Sequence, residues 1–351
     1  MKLNIFKNKS EASKFFKSEK KKKTVKLHRH SKILIIDGLN LFLRNFAMLN
    51  FVNEDGVHIG GLGGFLRSLG ALIRLIQPTS AYVVFDGAGA SLNRRNLLPE
   101  YKEGRGNNRI TNFDIFENLE EEHDAKVDQI VRLAQYLKCL PVKTVAIDKV
   151  EADDVISFIA KRMAKQYKSK VTIVSADRDF LQLASPNISI YRPIEKKFYN
   201  DQTVLEKFNV LAKNFTIYKT LLGDKSDGIR GISGLGEIKF KKLFSHLGKY
   251  EMDLDHLIET CGNKIKDNPI YGRVISEQNR LRDTYKLMDL HNPLLGEDDK
   301  EYLEALIESS TFKLNSKLFL GLYKEDSLRH TIRNVEFWIT DNFRTLQSYN
   351  K

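Results

Sequence analysis

The stretch Lys32-Ile33-Leu34-Ile35-Ile36-Asp37 decides the fold, because it is a continuous apolar run that ends on an aspartate. Two further runs share this form, Ala81-Tyr82-Val83-Val84-Phe85-Asp86 and Val171-Thr172-Ile173-Val174-Ser175-Ala176-Asp177. Apolar runs of this length are typical of strands buried on both faces of a parallel sheet. Since ligands bind outside the carboxyl ends of such strands, we expect the three aspartates to meet at one rim.

Strand and helix patterns alternate along the first two thirds of the chain. Helical patterns at 62–76, 125–138 and 152–167 lie between the three runs and two shorter strands near 143–147 and 188–192. This rhythm predicts an α/β domain at 32–200, with a mostly parallel central sheet flanked by helices.

Three other regions complete the predicted organisation. Residues 87–124 are a long polar connection, which is usually a functional lid or disordered. From about 201 the pattern is helical, and we predict a helical region at 201–300 and a C-terminal helical segment at 301–351. Phe337 and Trp338 indicate that this last segment packs against the body.

Charge is concentrated at the amino terminus of this 351-residue chain, whose net charge is +12. Residues 1–32 hold twelve Lys or Arg and two Glu, and the remainder is nearly neutral. We expect residues 1–31 to be a disordered tail that either keeps the protein soluble or binds the phosphates of a nucleic acid. The chain has only two cysteines, which predicts a reducing compartment. It has no apolar signal core and no apolar run long enough to cross a membrane, so we expect a cytoplasmic location.

Further carboxylates extend the predicted rim. Hard dications such as Mg²⁺ and Mn²⁺ prefer oxygen ligands, and repulsion makes a cluster of acids costly without a cation. Any single aspartate could instead cap a helix or form a turn. Two ions about 4 Å apart would use the whole set in phosphoryl chemistry. The set is Asp37, Asp86, Glu151, Asp153, Asp154, Asp177, Asp179, Asp224 and Asp227.

With these residues in place, the chain resembles the 5′-nucleases of the flap endonuclease superfamily, which share a PIN-like fold. It is most similar to the stand-alone bacteriophage members, a group that includes phage ribonuclease H with 5′→3′ exonuclease activity. The resemblance runs from about Lys32 to about Leu290 and rests on five motifs in order. They are Asp37-Gly38, Phe85-Asp86-Gly87, Glu151-Ala152-Asp153-Asp154, Ser175-Ala176-Asp177-Arg178-Asp179 and Gly223-Asp224-Lys225-Ser226-Asp227.

The resemblance implies two Mg²⁺ ions, which Mn²⁺ can replace. It assigns one ion mainly to Asp37, Asp86, Glu151 and Asp153, with Asp154 close by, and the other mainly to Asp177, Asp179, Asp224 and Asp227. It implies hydrolysis of phosphodiesters at 5′ ends and flaps of DNA and RNA–DNA duplexes, and removal of RNA primers in replication. A monomer is expected, and a single-strand-binding protein or a sliding clamp is an open candidate partner.

Two segments are predicted to hold nucleic acid. The glycine-rich turn Gly231-Ile232-Ser233-Gly234-Leu235-Gly236 is typical of a helical hairpin that presents backbone N–H groups to a phosphate; otherwise it is a plain turn between packed helices. By resemblance it belongs to a helix–three-turn–helix motif that often holds K⁺. Relatives often place a lysine where this chain has Ile238, so Lys239, Lys241 and Lys242 are candidates for that phosphate contact.

The second segment is Leu98-Pro99-Glu100-Tyr101-Lys102-Glu103-Gly104-Arg105, which in relatives lies in a helical arch over the active site. Lys102 is expected to stabilise charge at the scissile phosphate, and Tyr101 to stack on a base. Arg105 and Arg44 are further candidates for binding the strand. The alternative is that these are solvated loop charges.

Rival interpretations keep parts of this picture. One is a structure-specific DNA-binding module of the same fold with a decayed site. Another is a related metal-dependent nuclease, such as a junction resolvase or a PIN-type ribonuclease, although the latter lacks the glycine-rich hairpin. A polymerase-linked nuclease is a third, and 351 residues leave no room for a polymerase domain.

Overall fold

The computed structural model describes residues 27–99, 101–102, 110–310, 313–328 and 331–349. Their centre is a six-stranded sheet in the order β3-β2-β1-β4-β5-β6, in which β6 alone is antiparallel to its neighbour. The strands are β1 Lys32–Asp37, β2 Ser80–Val84, β3 Lys143–Val145, β4 Lys170–Val174, β5 Ile188–Arg192 and β6 Lys197–Tyr199. The predicted fold class, a mostly parallel sheet flanked by helices, is confirmed.

Helices cover both faces of this sheet. They are α1 Gly38–Met48, α2 Gly60–Ile76, α3 Leu92–Leu97, α4 Leu119–Lys138, α5 Ala152–Gln166, α6 Asp201–Phe208, α7 Phe215–Leu222, α8 Glu237–Leu243, α9 Leu254–Asn263, α10 Pro269–Ser276, α11 Gln278–Met288, α12 Glu297–Glu308, α13 Ser316–Glu325 and α14 Val335–Ser348. A small two-stranded sheet joins β7 Gly223–Asp224 to β8 Ile229–Arg230.

The first strand shows why its residues are apolar without interruption. Ile33 and Ile35 point into a core shared with α5 and the helices from α6 to α12, whereas Leu34 and Ile36 point into a second core under α1, α2 and α4. All four side chains are fully buried. A strand with helices on both faces has no solvent side, so the apolar run is a direct consequence of its position.

The C-terminal segment belongs to the second core. Phe319, Trp338 and Phe343 pack there with α2 and α4, and Asp326 accepts hydrogen bonds from Arg132 and Tyr136 of α4. The expected packing of Trp338 is therefore seen, but the boundary at 300 and 301 is wrong because it divides α12.

Residues 27–31 pack against the body, although we expected them to belong to the tail. His30 is buried, its ring stacks on Tyr167 with centroids 4.2 Å apart, and its carbonyl oxygen accepts a hydrogen bond from Ser169. Backbone and ring contacts thus extend the body five residues toward the amino terminus. The rest of the predicted tail, residues 1–26, lies outside the described residues.

Gly60, Gly61, Gly63 and Gly64 lie in the first turns of α2. A Cβ on Gly61 would lie 2.5 Å from the Phe42 ring, so the absent side chains let α1 and α2 pack closely. No helix among the described residues is both long and apolar enough to cross a membrane. Cys139 and Cys261 are buried free thiols.

Candidate active site

The parallel register brings the strand-end acids to one edge of the sheet. Asp37 pairs in register with Val84 of β2, and Ile36 with Val174 of β4, so Asp86 and Asp177 follow at the same edge. Ser175 donates a hydrogen bond of 2.8 Å to Asp37 Oδ2, and its own oxygen accepts one of 3.0 Å from the Asp177 amide. One hydroxyl group thus joins the ends of two strands.

The start of α5 completes this side of the site. Asp86 Oδ1 accepts a hydrogen bond of 2.7 Å from the amide of Ala152, the first residue of the helix. This contact places Glu151 and Asp153 beside the strand-end acids. Acidic side chains at a helix start are favoured by the helix dipole, and here that start faces the carboxyl edge of the sheet.

The pKa values show that these acids repel one another. Burial raises the pKa of Asp37 to about 7, and the charges of Asp177 and Asp86 act in the same direction. Hydrogen bonds from Asn40 and Ser175 oppose this rise. Burial and the charges of Asp177 and Asp37 raise the pKa of Asp153 well above its usual range. Carboxylates with raised pKa values, such as Asp37 and Asp153, are stabilised by additional positive charge, which a dication would supply.

The other acids surround a lysine that the sequence had not singled out. Lys219 Nζ lies 2.5 Å from Asp179 Oδ1 and also contacts Asp224. Burial raises the pKa of Asp179 to about 7 even though Lys219 opposes this change. At Asp224, burial favours a higher pKa, but Lys219 and Ser226 outweigh burial and lower the pKa to about 2. Asp227 is buried in the same region and adds to the negative charge that Asp179 meets.

A second cation that sequence reasoning missed is Arg94 on α3. It is 4% exposed, and its Nη1 lies 2.7 Å from Asp154 and 3.0 Å from Glu151. Its Nε donates to the carbonyl oxygen of Leu287 on α11. The other oxygen of Asp154 accepts from the amide of Leu294, so both oxygens of Asp154 are engaged away from the rim.

Lys102 and Tyr101 close over Glu151. Lys102 Nζ lies 2.8 Å from Glu151 Oε1, and the Tyr101 hydroxyl donates to Oε2 at 3.1 Å. Lys102 has a left-handed backbone (φ 55°), and its amide donates to the carbonyl oxygen of Asp227. The base of the predicted arch is therefore attached to both groups of acids.

The expectation that Tyr101 stacks on a base is wrong for this conformation. Its ring is 4% exposed and packs with Leu98, Ile229, Leu287 and Met288. A base could reach the ring only if this small core opened. Arg105 lies outside the described residues, and Arg44 is partly exposed on α1, about two turns from Asp37.

One cleft connects the acids to the glycine-rich turn. It has a volume of about 770 Å³, and its lining includes Asp177, Lys219, Asp224, Gly236 and Glu237. Gly236 precedes α8, which carries Lys239, Lys241 and Lys242, and all three lysines are exposed. The three lysines therefore lie on the helix that begins at this cleft, and Gly231 and Gly234 lie in the turn that precedes it.

Two lysines, Lys102 and Lys219, lie among the acids. Among the described residues, no three Asp, Glu, His or Cys side chains already enclose a single point as a metal-binding set. Lys219 lies between Asp179 and Asp224, and Lys102 is paired with Glu151, so both ammonium groups neutralise acids that ions would otherwise neutralise. The donor set fits divalent cations in its chemistry, and the two ammonium groups supply positive charge within it.

Comparison with known proteins assigns the family. The model of the 5′-3′ exonuclease N-terminal resolvase-like domain matches residues 32–209, and the chain belongs to this family. It is 31% identical to flap endonuclease Xni of Colwellia psychrerythraea over 64% of this chain and 77% of that protein. It is 30% identical to DNA polymerase I of Geobacillus stearothermophilus over 89% of this chain, but spans only 35% of that protein.

A solved structure shares the fold. The flap endonuclease of bacteriophage T5, determined in a complex with DNA and metal ions, superposes with a TM-score of 0.60 at 18% identity. The match covers 84% of this chain and 97% of the phage protein. Most of the chain therefore shares the fold of this phage protein.

Proposed function

We propose that this protein is a structure-specific 5′ nuclease that hydrolyses phosphodiesters at the 5′ ends and flaps of DNA and RNA–DNA duplexes. The observation that carries the proposal is the meeting of carboxylates from five separate segments at one sheet edge, beneath Lys102 and at the end of a cleft that leads to a basic helical hairpin. A cluster of partly buried acids beside an open cleft suits metal-assisted phosphodiester hydrolysis.

Two Mg²⁺ ions, or Mn²⁺ in their place, are the proposed cofactors. Asp37, Asp86, Glu151 and Asp153 would hold one, and Asp177, Asp179, Asp224 and Asp227 the other. Asp154, whose oxygens bind Arg94 and the Leu294 amide, would position this arginine beside Glu151. When bound, the ions would act as Lewis acids on the phosphodiester and offset its negative charge.

The chain's own cations have two roles in this scheme. Lys102 would turn from Glu151 toward the scissile phosphate and balance the charge that develops there. Lys219 would leave the space between Asp179 and Asp224 as ions enter, because like charges in one pocket repel. Tyr101 would hold Glu151 through its hydroxyl group, with its ring fixed in the small core.

The duplex would be held without recognition of its sequence. Lys239, Lys241 and Lys242 follow the glycine-rich turn on α8, and Arg44 is partly exposed on the helix that begins beside Asp37, so each would meet backbone phosphates. Phosphate contacts fix position rather than sequence. The proposed substrates are therefore defined by shape, and removal of RNA primers in replication is the corresponding role.

A labelled-substrate assay tests this function. A duplex with a single-stranded 5′ flap, labelled at either end in separate reactions, should be cut near the junction and from the 5′ side in Mg²⁺, and should stay intact in EDTA. The two labels report polarity and cut position together. Binding of the flap without any cleavage in Mg²⁺ or Mn²⁺ would contradict a nuclease and favour a DNA-binding module.

Divalent ions should also stabilise the fold. Because Asp37 is buried and Asp153 is half-buried near other carboxylates, Mg²⁺ at a hundredfold excess over its Kd should raise the free energy of unfolding by about 2.7 kcal/mol. Thermal melting with MgCl₂, against NaCl at equal ionic strength, measures this. An identical melting temperature in both salts at saturating Mg²⁺ would contradict a cation-binding acid cluster.

A further inference from the structure

The glycine-rich turn at residues 231–236 has a tightly turned backbone. Gly234 has φ 74°, a conformation that other residues rarely adopt. The amide of Leu235 donates to the carbonyl oxygen of Ile232 at 3.0 Å, and the amide of Ile232 donates to that of Leu221 at 2.8 Å. A potassium ion at this turn would need its backbone carbonyl oxygens as ligands.

Three cationic side chains already donate to carbonyl oxygens of this turn and the residue before it. Arg273 Nη1 lies 2.5 Å from the oxygen of Ser233, and Arg280 Nη1 lies 2.6 Å from that of Arg230. Lys239 Nζ lies 3.0 Å from the oxygen of Gly234. The three donors come from three different helices, α10, α11 and α8, so the surrounding fold converges on the turn.

The positions of the two arginines are fixed by further contacts. Glu277 accepts hydrogen bonds from Nε of Arg280 at 2.8 Å and from Nη2 at 2.6 Å, which leaves Nη1 directed at the carbonyl oxygen. Arg273 approaches so closely that a Cβ at position 234 would lie 2.7 Å from its Nη1. Gly234 thus permits both the backbone curvature and the arginine contact.

We infer that the guanidinium groups of Arg273 and Arg280 and the ammonium group of Lys239 replace a potassium ion at this hairpin. They hydrogen-bond to backbone oxygens that an ion would need, and their charges would repel a cation that approached the same oxygens. The expected potassium site therefore does not fit the residues present. The turn is instead held by its own side chains, whatever monovalent salt is in solution.

The consequence for DNA binding rests on the proposed function. A hairpin that carries its own cations is organised before the duplex arrives, and its grip on phosphates should depend on total ionic strength but not on the identity of the monovalent cation. Lys239, the first lysine on the exposed side of α8, links the inner face of the turn to the surface that would meet phosphate.

Thermal melting tests the inference without DNA. Melting temperatures of the native protein in EDTA should be the same in KCl and in tetramethylammonium chloride of equal concentration. The double variant Arg273→Met and Arg280→Met should melt lower and regain stability in KCl alone, because two carbonyl oxygens become free for an ion. The matched control is Arg282→Met, since Arg282 lies on α11 beside Arg280 but binds Asp255 at 2.8 Å instead of the turn.

A rise in the melting temperature of the native protein that is specific to KCl would overturn the inference, and this comparison decides it even if the double variant fails to fold. Fluorescence anisotropy with labelled duplex in the same two salts and EDTA then reports on DNA. The native protein should have the same Kd in both, whereas the double variant should bind at least about tenfold more weakly in tetramethylammonium chloride. Loss of duplex binding by the native protein in both salts would reject the proposed hairpin function and leave the melting result standing.

Discussion

Replacing Asp177 by asparagine should slow cleavage of a 5′-flap substrate by at least about a thousandfold, because a metal site contributes several kcal/mol to the barrier. Asp177 lies at the centre of the acids. Its charge raises the pKa values of Asp37, Asp153 and Asp179, and its side chain accepts a hydrogen bond from the Asp179 amide at 2.8 Å. Asparagine keeps the size and one oxygen but removes this charge.

Single-turnover kinetics and anisotropy separate chemistry from binding in this variant. The Kd for flap DNA should change little, since the hairpin lysines that grip the duplex are untouched. Asp128→Asn, an exposed acid on α4, is the matched control and should cleave like the native protein. Full cleavage by Asp177→Asn would reject the assignment of the acids.

Replacing Arg94 by methionine should lower the free energy of unfolding by about 3–5 kcal/mol, the usual effect of removing one partner of a buried ion pair. Arg94 is the cation between Glu151 and Asp154, both of which are buried. It also joins α3 to α11 through the Leu287 carbonyl oxygen. Its loss would leave two buried carboxylates short of positive charge.

Urea unfolding of the two neighbouring arginine variants provides the comparison. Arg95 is exposed on the same helix, so Arg95→Met should unfold within about 0.5 kcal/mol of the native protein. If the two variants were equally stable, Arg94 would have no structural role at the site. Mg²⁺ should also restore part of the stability of Arg94→Met, because Glu151 is one of the proposed ligands.

The strand-end acids could be placed from sequence because a parallel sheet orders them by topology. A buried strand must be apolar on both faces, and its carboxyl end lies at the rim of the sheet. The positions of Asp37, Asp86 and Asp177 could therefore be predicted without knowledge of tertiary contacts. The start of α5 was equally visible, since Glu151 and Asp153 precede a clear apolar helical pattern. The sheet order and its antiparallel edge strand required the structure.

The cations of the site could not be placed in this way. Arg94 stands in a polar segment with Arg95 beside it, and nothing local shows which of the two is buried. Its partners lie 57 or more positions further along the chain, and only the packing of α3 against α11 brings them together. Lys219 likewise resembles any lysine in an apolar helix. The burial of Tyr101 depends on Leu287 and Met288, which no local pattern connects to it.

The most direct test of the account is the anomalous scattering of Mn²⁺ in crystals of the native protein. Two anomalous peaks should appear among the acids, one near Asp37, Asp86, Glu151 and Asp153, and one near Asp177, Asp179, Asp224 and Asp227, with Lys219 displaced from between Asp179 and Asp224. Crystals of Asp177→Asn should show weaker occupancy at both positions. Native crystals with saturating Mn²⁺ and no peak at this edge of the sheet would contradict the central claim that the gathered carboxylates bind divalent cations.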